Sequence, residues 1–230
     1  MKFLNRKRDE YVAGVLYNDA LLREAVWRQD ESNSHDVFLF DSMLSEINML
    51  GCGFVHYADV TMRQHTDAAV VKVIESYLGR FQSEEIIGEL VRSIGIRENK
   101  SSLKAILNCY FNTSDDMKRK NAAFYDNAIS NIKDDRYIDS YLRIISDVNN
   151  AARFPFTMQM LGKWRNEDAK QLLINYMSSE NDQLVWNSLS ALKFYKDDPA
   201  VISALESSLE VKHSNPKLVK DIATLLSKMR

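Results

Sequence analysis

An eight-residue pattern occurs at 78–85 (Leu-Gly-Arg-Phe-Gln-Ser-Glu-Glu) and again 83 positions later at 161–168 (Leu-Gly-Lys-Trp-Arg-Asn-Glu-Asp). In both copies an apolar helix is predicted to end at the glycine, and polar residues with two carboxylates open the next helix. A looser copy at 192–199 has Lys193 in place of the glycine. Such repetition predicts helical hairpins that stack on one another, because one hairpin cannot bury its apolar face alone.

Helix start signals recur through the same part of the chain. Two prolines follow a capping residue directly, in Asp198-Pro199 and Asn215-Pro216, and proline is favoured at the first position of a helix. Further N-caps are predicted at Thr66, Ser83, Asn166 and Asn181. The spacing of Val185, Leu189 and Leu192 returns 33 positions later at Leu218, Ile222 and Leu225. This period is typical of a helical-hairpin repeat.

These signals predict an all-α fold, a right-handed α-α superhelix of about 10–13 helices. With 7 Gly and 3 Pro the chain has few of the residues that the tight turns of a sheet protein need. We expect one domain over 1–230, with divergent helices at 1–65 and hairpins at 66–230. Further predicted helices cover 36–50, 102–112, 116–132 and 135–148, with one or two more between 7 and 28.

The order of apolar helix, Leu-Gly, acidic or Asp-Pro cap and Ala-x-x-Leu-Leu resembles HEAT-like repeats, in particular the short bacterial variety also found in phycobilisome lyases. The residues that carry the resemblance are 78–91, 161–173 and 192–205. It covers 66–94 and 153–230 well and the first 65 residues poorly. The resemblance implies a solenoid with a binding surface and brings no catalytic residues. HEAT-type hydroxylases bind two irons through His-Glu dipeptides, and this sequence contains none.

No residue pattern for catalysis, a cofactor or a metal is present in the sequence. The four histidines lie far apart in the chain, and the two cysteines form no C-x-x-C pair. We therefore expect no enzyme activity, and we interpret Cys52 and Cys109 as buried thiols. The basic N-terminus is not followed by an apolar stretch, and no run of 18 apolar residues occurs, which predicts a cytoplasmic protein without a membrane partner.

Charge is distributed unevenly. Residues 19–46 carry seven acidic and two basic side chains, although the net charge of the whole chain is −2. One interpretation is a solvated helix face; the other is an acidic docking surface for a basic protein. The second interpretation predicts contacts to the partner from Asp30, Glu31, Asp36, Asp41 and Glu46.

A second candidate surface is the inner face of the hairpins. The second helix of each hairpin lines this face in a solenoid, so its polar side chains are available to a partner. The residues predicted here are Glu85, Glu89 and Arg92 on one helix, Lys170, Gln171 and Asn175 on another, and Ser203 and Glu206 on a third.

The sequence therefore predicts a non-enzymatic protein-binding α-solenoid. By analogy of class and charge we expect a bacterial immunity protein that neutralises a cognate toxin, such as a nuclease of a contact-dependent inhibition system, whose nucleic-acid site is basic. One alternative is a HEAT-like DNA-binding protein or alkylpurine DNA glycosylase using Trp27, Trp164 and Trp186, and another is a lyase-like chaperone. A pI near 6.1 disfavours nucleic acid, because DNA affinity comes largely from Lys and Arg.

Overall fold

The computed structural model describes the backbone of residues 2–210 and 215–229, and side chains from residue 14 onward within these ranges. The described residues form fifteen α-helices and two short 3-10 helices, with no strand, which confirms the all-α prediction. The number of α-helices exceeds the predicted 10–13. Backbone contacts divide the chain into two compact units, Met1–Ile132 and Lys133–Arg230.

The first unit contains eight α-helices among its described residues. They are α1 (Lys2–Gln29), α2 (Ser34–Met49), α3 (Tyr57–Thr61), α4 (Ala68–Leu78), α5 (Glu84–Ile94), α6 (Ser102–Asn112), α7 (Asp115–Lys120) and α8 (Ala122–Ile132). A 3-10 helix, Glu31–Asn33, joins α1 to α2. Helix α4 contacts α2, α5 and α6, whereas α5 contacts α3 and α8. Each of these helices therefore packs on helices two or three places away in the chain.

The second unit begins with the 3-10 helix Asp135–Tyr137. Its described α-helices are α9 (Ile138–Ser146), α10 (Val148–Ala151), α11 (Pro155–Lys163), α12 (Glu167–Tyr176), α13 (Asp182–Leu192), α14 (Pro199–Glu210) and α15 (Pro216–Met229). Helix α11 packs on α13, α12 packs on both α13 and α14, and α13 also contacts α15. Alternate helices are thus neighbours in this unit as well.

The predicted helix caps are present at five of six positions. The carboxylate of Asp198 accepts from the backbone N–H groups of Ala200 and Val201 at 3.0 and 3.3 Å. The side chains of Ser83, Asn166, Asn181 and Asn215 likewise accept from a backbone N–H in the first turn of their helices. The prediction for Thr66 is wrong by one residue: Asp67 caps α4, because its carboxylate reaches the N–H groups of both Ala69 and Val70.

Two predicted helices are divided by polar residues. The segment 116–132 is interrupted at Asn121, whose side-chain amide donates to the carbonyl oxygen of Glu84 at 2.8 Å and so connects the chain to α5. The segment 135–148 begins with 3-10 geometry and ends at Asp147, which caps the short helix α10. Helix α3 lies in a region where no helix was predicted. These breaks account for the larger number of helices.

The leucine that opens each copy of the repeated pattern is buried. Leu78 is 1% exposed, and Leu161 and Leu192 are not exposed at all. The glycines that follow the first two leucines differ. Gly79 is the C-cap of α4, but α11 continues through Gly162 to Lys163, so the helix end predicted at that glycine is wrong.

The reason for this difference is close packing of α11 on α13. A Cβ atom at Gly162 would lie 2.5 Å from the carbonyl oxygen of Ala191, whereas a Cβ atom at Gly79 would meet nothing within 4 Å. Gly162 therefore allows two helices to approach, and Gly79 sits in open space at a helix end. Glycine at the same position of the repeated pattern therefore has two different physical roles.

The two cysteines also differ. Cys109 is 5% exposed, its Sγ lies 3.3 Å from the hydroxyl of Tyr125, and burial raises the pKa of its thiol. The prediction of a buried thiol is confirmed there. It is wrong for Cys52, which is half-buried in the loop after α2, between Gly51 and Gly53, both with positive φ.

Candidate functional site

The acidic segment after α1 is less available to a partner than its composition indicates. Asp36 is 3% exposed, and its carboxylate accepts hydrogen bonds from the backbone N–H groups of Gln82 and Ser83, directly before α5. Glu46 is half-buried and accepts from the hydroxyl of Tyr77. These two carboxylates hold α2 against the corner between α4 and α5, so we do not include them in a docking surface.

Asp30, Glu31 and Asp41 remain on the surface. Asp30 and Glu31 follow the last residue of α1, and both are exposed. Hydrogen bonds from the hydroxyl and backbone N–H of Ser32 lower the pKa of Asp30, which keeps the carboxylate charged. Asp41 is exposed and pairs with the guanidinium of Arg28 at 2.9 Å. Two exposed acids at the end of α1 therefore carry an unneutralised negative charge.

Helix α1 packs through one face. Tyr17, Ala20, Glu24 and Trp27 recur at three- and four-residue spacing, and Ala20 and Glu24 are 2% and 5% exposed. The Glu24 carboxylate accepts from Arg28 Nε and from the backbone N–H of Tyr57, each at 2.8 Å. The Tyr17 hydroxyl donates to Asp59 at 3.0 Å. This face anchors α1 to α3.

The opposite face of α1 carries apolar side chains. Val15, Leu22 and Val26 are 49%, 69% and 71% exposed, and helical spacing places them about half a turn away from Glu24. Asp19 lies on the same face and is 61% exposed, 3.3 Å from the guanidinium of Arg23. We call Val15, Asp19, Leu22 and Val26 the outer face of α1. No partner covers it among the described residues, and the sequence did not reveal it because both faces of this helix mix apolar and charged side chains.

The predicted inner-face residues are mostly exposed. On α5, Glu85 is exposed and lies 3.8 Å from the guanidinium of Arg23. Glu89 pairs with Arg92, which also donates to the carbonyl oxygen of Thr61 and so joins α5 to α3. Arg92 therefore holds α5 to α3, although its side chain is also exposed to solvent.

In the second unit, Lys170 lies between Asp198 at 2.8 Å and Glu167. Hydrogen bonds to these two carboxylates raise the pKa of Lys170, and the same lysine lowers the pKa of Asp198. Lys170 thus connects α12 to the cap of α14. Gln171, Asn175, Ser203 and Glu206 are exposed. Among the predicted residues of this unit, these four are the better candidates for contact with a partner.

No group of three or more His, Cys, Asp or Glu side chains is placed to hold a metal ion in the described part of the chain. Several tyrosines have a pKa raised by burial, to about 12 for Tyr195, whose hydroxyl donates to the carbonyl oxygen of Asn166. A tyrosine buried in this way is a packing residue that also satisfies a backbone acceptor.

The three tryptophans are half-buried and packed. Trp27 lies 6.3 Å from the Phe40 ring and Trp164 lies 6.3 Å from the Tyr141 ring, measured between centroids. The ammonium group of Lys217 lies 5.0 Å from the ring of Trp186. Trp27 and Trp164 thus pack on other aromatic rings, and these contacts do not favour the glycosylase alternative.

His65 is buried, and its imidazole ring forms a hydrogen bond with the backbone. It is 7% exposed, and its Nε2 lies 2.6 Å from the carbonyl oxygen of Val60. Burial lowers the pKa of His65; the hydrogen bond to Val60 raises it, and the nearby charge of Arg63 lowers it. Because the folded-state pKa is below the unfolded value, stability is fully present above about pH 6.5 and is lost as the pH falls.

We therefore expect the free energy of unfolding to decrease as the pH falls below about 6.5, by at most about 1.4 kcal/mol per pH unit for one proton. Urea unfolding at several pH values measures this slope. The His65→Gln variant should have a smaller slope, because it lacks the buried imidazole. Equal slopes in the native protein and His65→Gln would contradict this assignment.

An open groove lies on the first unit between α4, the start of α5, α6 and α7, with a volume of about 680 Å³. Its walls include the side chains of Glu75, Arg80, Asn108 and Asn112, and Phe81 contributes apolar surface. The groove was not predicted from the sequence, because its walls come from four helices and no motif marks the residues that form them.

No helix in the described residues is both long and apolar enough to cross a membrane. Comparisons with protein-family models, with curated proteins and with solved structures find no match to this chain. The HEAT-like resemblance therefore depends on the repeated residues alone and stays a prediction.

Proposed function

We propose that this chain is a non-enzymatic helical-repeat protein that binds a basic protein through the outer face of α1 and the adjoining acids Asp30 and Glu31. The observation that carries the proposal is the exposure of Val15, Leu22 and Val26 on a helix that is already packed through its other face. Exposed apolar side chains grouped on one face mark interaction sites, because burying them in a complex removes apolar surface from water. The acids next to this face favour a positively charged partner.

The packing of the first unit supports the same proposal. The contacts of α2 with α4, α4 with α6, and α5 with α8 favour a stacked arrangement of hairpins within this unit. Stacked helices bury their apolar faces on one another, whereas Val15, Leu22 and Val26 of α1 are exposed. A partner that covers the outer face of α1 would bury these side chains.

More narrowly, we propose that the chain is a cytoplasmic immunity protein. Its partner would then be a toxin, in particular a nuclease. A nuclease has a basic surface where it holds phosphates, and exposed carboxylates on an inhibitor complement that surface. The exposed acids Asp30 and Glu31 fit this chemistry.

The experiment is recovery of the partner on the immobilised chain. Leu22→Gln combined with Val26→Gln should strongly reduce retention of a basic protein from extracts of the native host, because the two variants replace apolar contacts by polar amides without changing the charge. The matched control is Met49→Gln with Val148→Gln, which changes two exposed apolar side chains outside α1 and should retain the protein. Circular dichroism verifies that each variant is folded.

A set of retained proteins that is the same for the native chain and the Leu22/Val26 variant would contradict the proposal. Sedimentation showing that the native chain forms a dimer, which the Leu22/Val26 variant does not form, would also contradict it. In that case the outer face of α1 binds a second copy of the chain.

A further inference from the structure

Three lysines of the second unit lie against two aromatic rings at α13. The ammonium groups of Lys163, at the end of α11, and Lys193, directly after α13, lie 5.7 and 5.2 Å from the centroid of the Phe194 ring. The ammonium group of Lys217 on α15 lies 5.0 Å from the ring of Trp186. Trp186 and Lys193 are about two turns apart, which places them on one side of α13. We call Lys163, Lys193 and Lys217 the lysine cluster of α13.

The lysine cluster has no carboxylate partner. Its three side chains are exposed, and none of them forms an ion pair with a described residue. Lys170 on α12 of the same unit, in contrast, pairs with both Glu167 and Asp198. The two ammonium groups that share the Phe194 ring also repel each other, because they have the same charge. An anion at this ring would therefore be attracted by both of them.

The ring contacts order the lysines of the cluster. A lysine side chain has much conformational freedom, and fixing it in a complex opposes binding. A cation–π contact restricts part of that freedom before a partner arrives. The ammonium group has three N–H donors, so it can contact a ring and still donate to an acceptor in solvent. The cluster is therefore ordered in part for a negatively charged partner.

We propose that the lysine cluster of α13 binds an acidic segment of another protein, with glutamate or aspartate side chains as the counter-ions of the lysines. Three separate ammonium groups match a segment whose carboxylates are spaced along a chain. A nucleic acid carries a phosphate on every nucleotide and needs a more extended basic surface, whereas the net charge of this protein is −2. The cluster belongs to the second unit, so the inference does not depend on the docking proposed for α1.

The test titrates an acidic peptide into the full chain at low salt and follows the NMR spectrum. The probe is an acetylated and amidated octapeptide of alternating glutamate and glycine. We expect shifts in the indole N–H signal of Trp186 and in the amide signals of Lys163 and Lys193, with no shift in the indole signal of Trp27, which lies in the first unit. The same peptide with glutamine for glutamate should bind at least about tenfold more weakly, because it has no charge.

Lys163→Gln, Lys193→Gln and Lys217→Gln combined should weaken binding of the glutamate peptide by about tenfold or more. Each exposed ion pair contributes little by itself, but this variant loses three of them. The spectrum of the variant without peptide verifies that its fold is unchanged.

The matched control combines three substitutions at exposed lysines of the first unit, Lys72→Gln, Lys100→Gln and Lys104→Gln. It removes the same charge and should change binding by less than about twofold, because salt screens distant charges. Unchanged binding by the lysine-cluster variant, equal binding of the glutamate and glutamine peptides, or the absence of shifts at α13 would each overturn the proposal. Tighter binding of a short oligothymidylate at the same signals would also overturn it, because the surface would then be specific for nucleic acid.

Discussion

Replacing Leu161 by alanine is expected to lower the free energy of unfolding by about 2–5 kcal/mol. Leu161 is fully buried on α11, the helix that packs on α13, so the shorter side chain leaves a cavity in addition to the lost burial of apolar surface. Denaturant unfolding followed by circular dichroism and by fluorescence of Trp164 and Trp186, which lie in the same unit, measures the change.

Leu16→Ala is the control for this substitution, because Leu16 is 50% exposed. It should change the free energy of unfolding by less than about 0.5 kcal/mol, as expected for a surface position. A Leu161→Ala protein as stable as the native one would show that this leucine does not occupy a packed core, and that the repeated pattern does not mark the buried side of the hairpins.

Replacing Gly162 by alanine is expected to destabilise the protein by about 1–3 kcal/mol. Alanine is favoured over glycine within a helix by about 0.5–1 kcal/mol, which opposes this effect. The added Cβ would lie 2.5 Å from a backbone oxygen of Ala191, and a backbone atom cannot rotate away as a side chain can. The steric effect is therefore the larger one, and α11 must move away from α13.

Gly79→Ala provides the matched substitution at the aligned position of the repeat. It should change stability by less than about 1 kcal/mol, because the new methyl group meets nothing within 4 Å and the φ of Gly79 is −85°. The same unfolding experiment compares the two variants. Equal effects of the two substitutions would contradict the assignment of different roles to these glycines.

Local signals made most of the helices predictable. A cap such as Asp198 or Asn166 accepts from a backbone N–H two or three positions later, and the buried leucines recur at helical spacing. The neighbouring sequence is therefore enough to identify them. The break at Asn121 was not predictable, because the side chain bonds to the carbonyl oxygen of Glu84, 37 positions earlier. The role of Gly162 likewise depends on a helix that comes later in the chain.

The candidate site was predictable only in part, for the same reason. Asp30 and Asp36 are equally acidic in the sequence, but Asp36 bonds to backbone N–H groups 46 and 47 positions away, which removes it from the surface. The apolar outer face of α1 could have been found by asking whether a helix has apolar residues on two opposite sides. The groove on the first unit needs the packing of four helices, which no single segment encodes.

The association rate of a basic protein with the outer face of α1 and the acids Asp30 and Glu31 tests the proposed function most directly. For the partner recovered on the immobilised chain, the rate constant should fall as salt rises, because the screening length shortens to about 8 Å at physiological ionic strength. Asp30→Lys with Glu31→Lys should lower that rate constant at low salt by about tenfold or more and change dissociation less, as expected of charges that steer encounter. Glu98→Lys with Glu180→Lys, at exposed acids that belong neither to α1 nor to the Asp30/Glu31 pair, should leave both rates as they are in the native chain. Association that is independent of salt and unchanged in the Asp30/Glu31 variant would contradict the account.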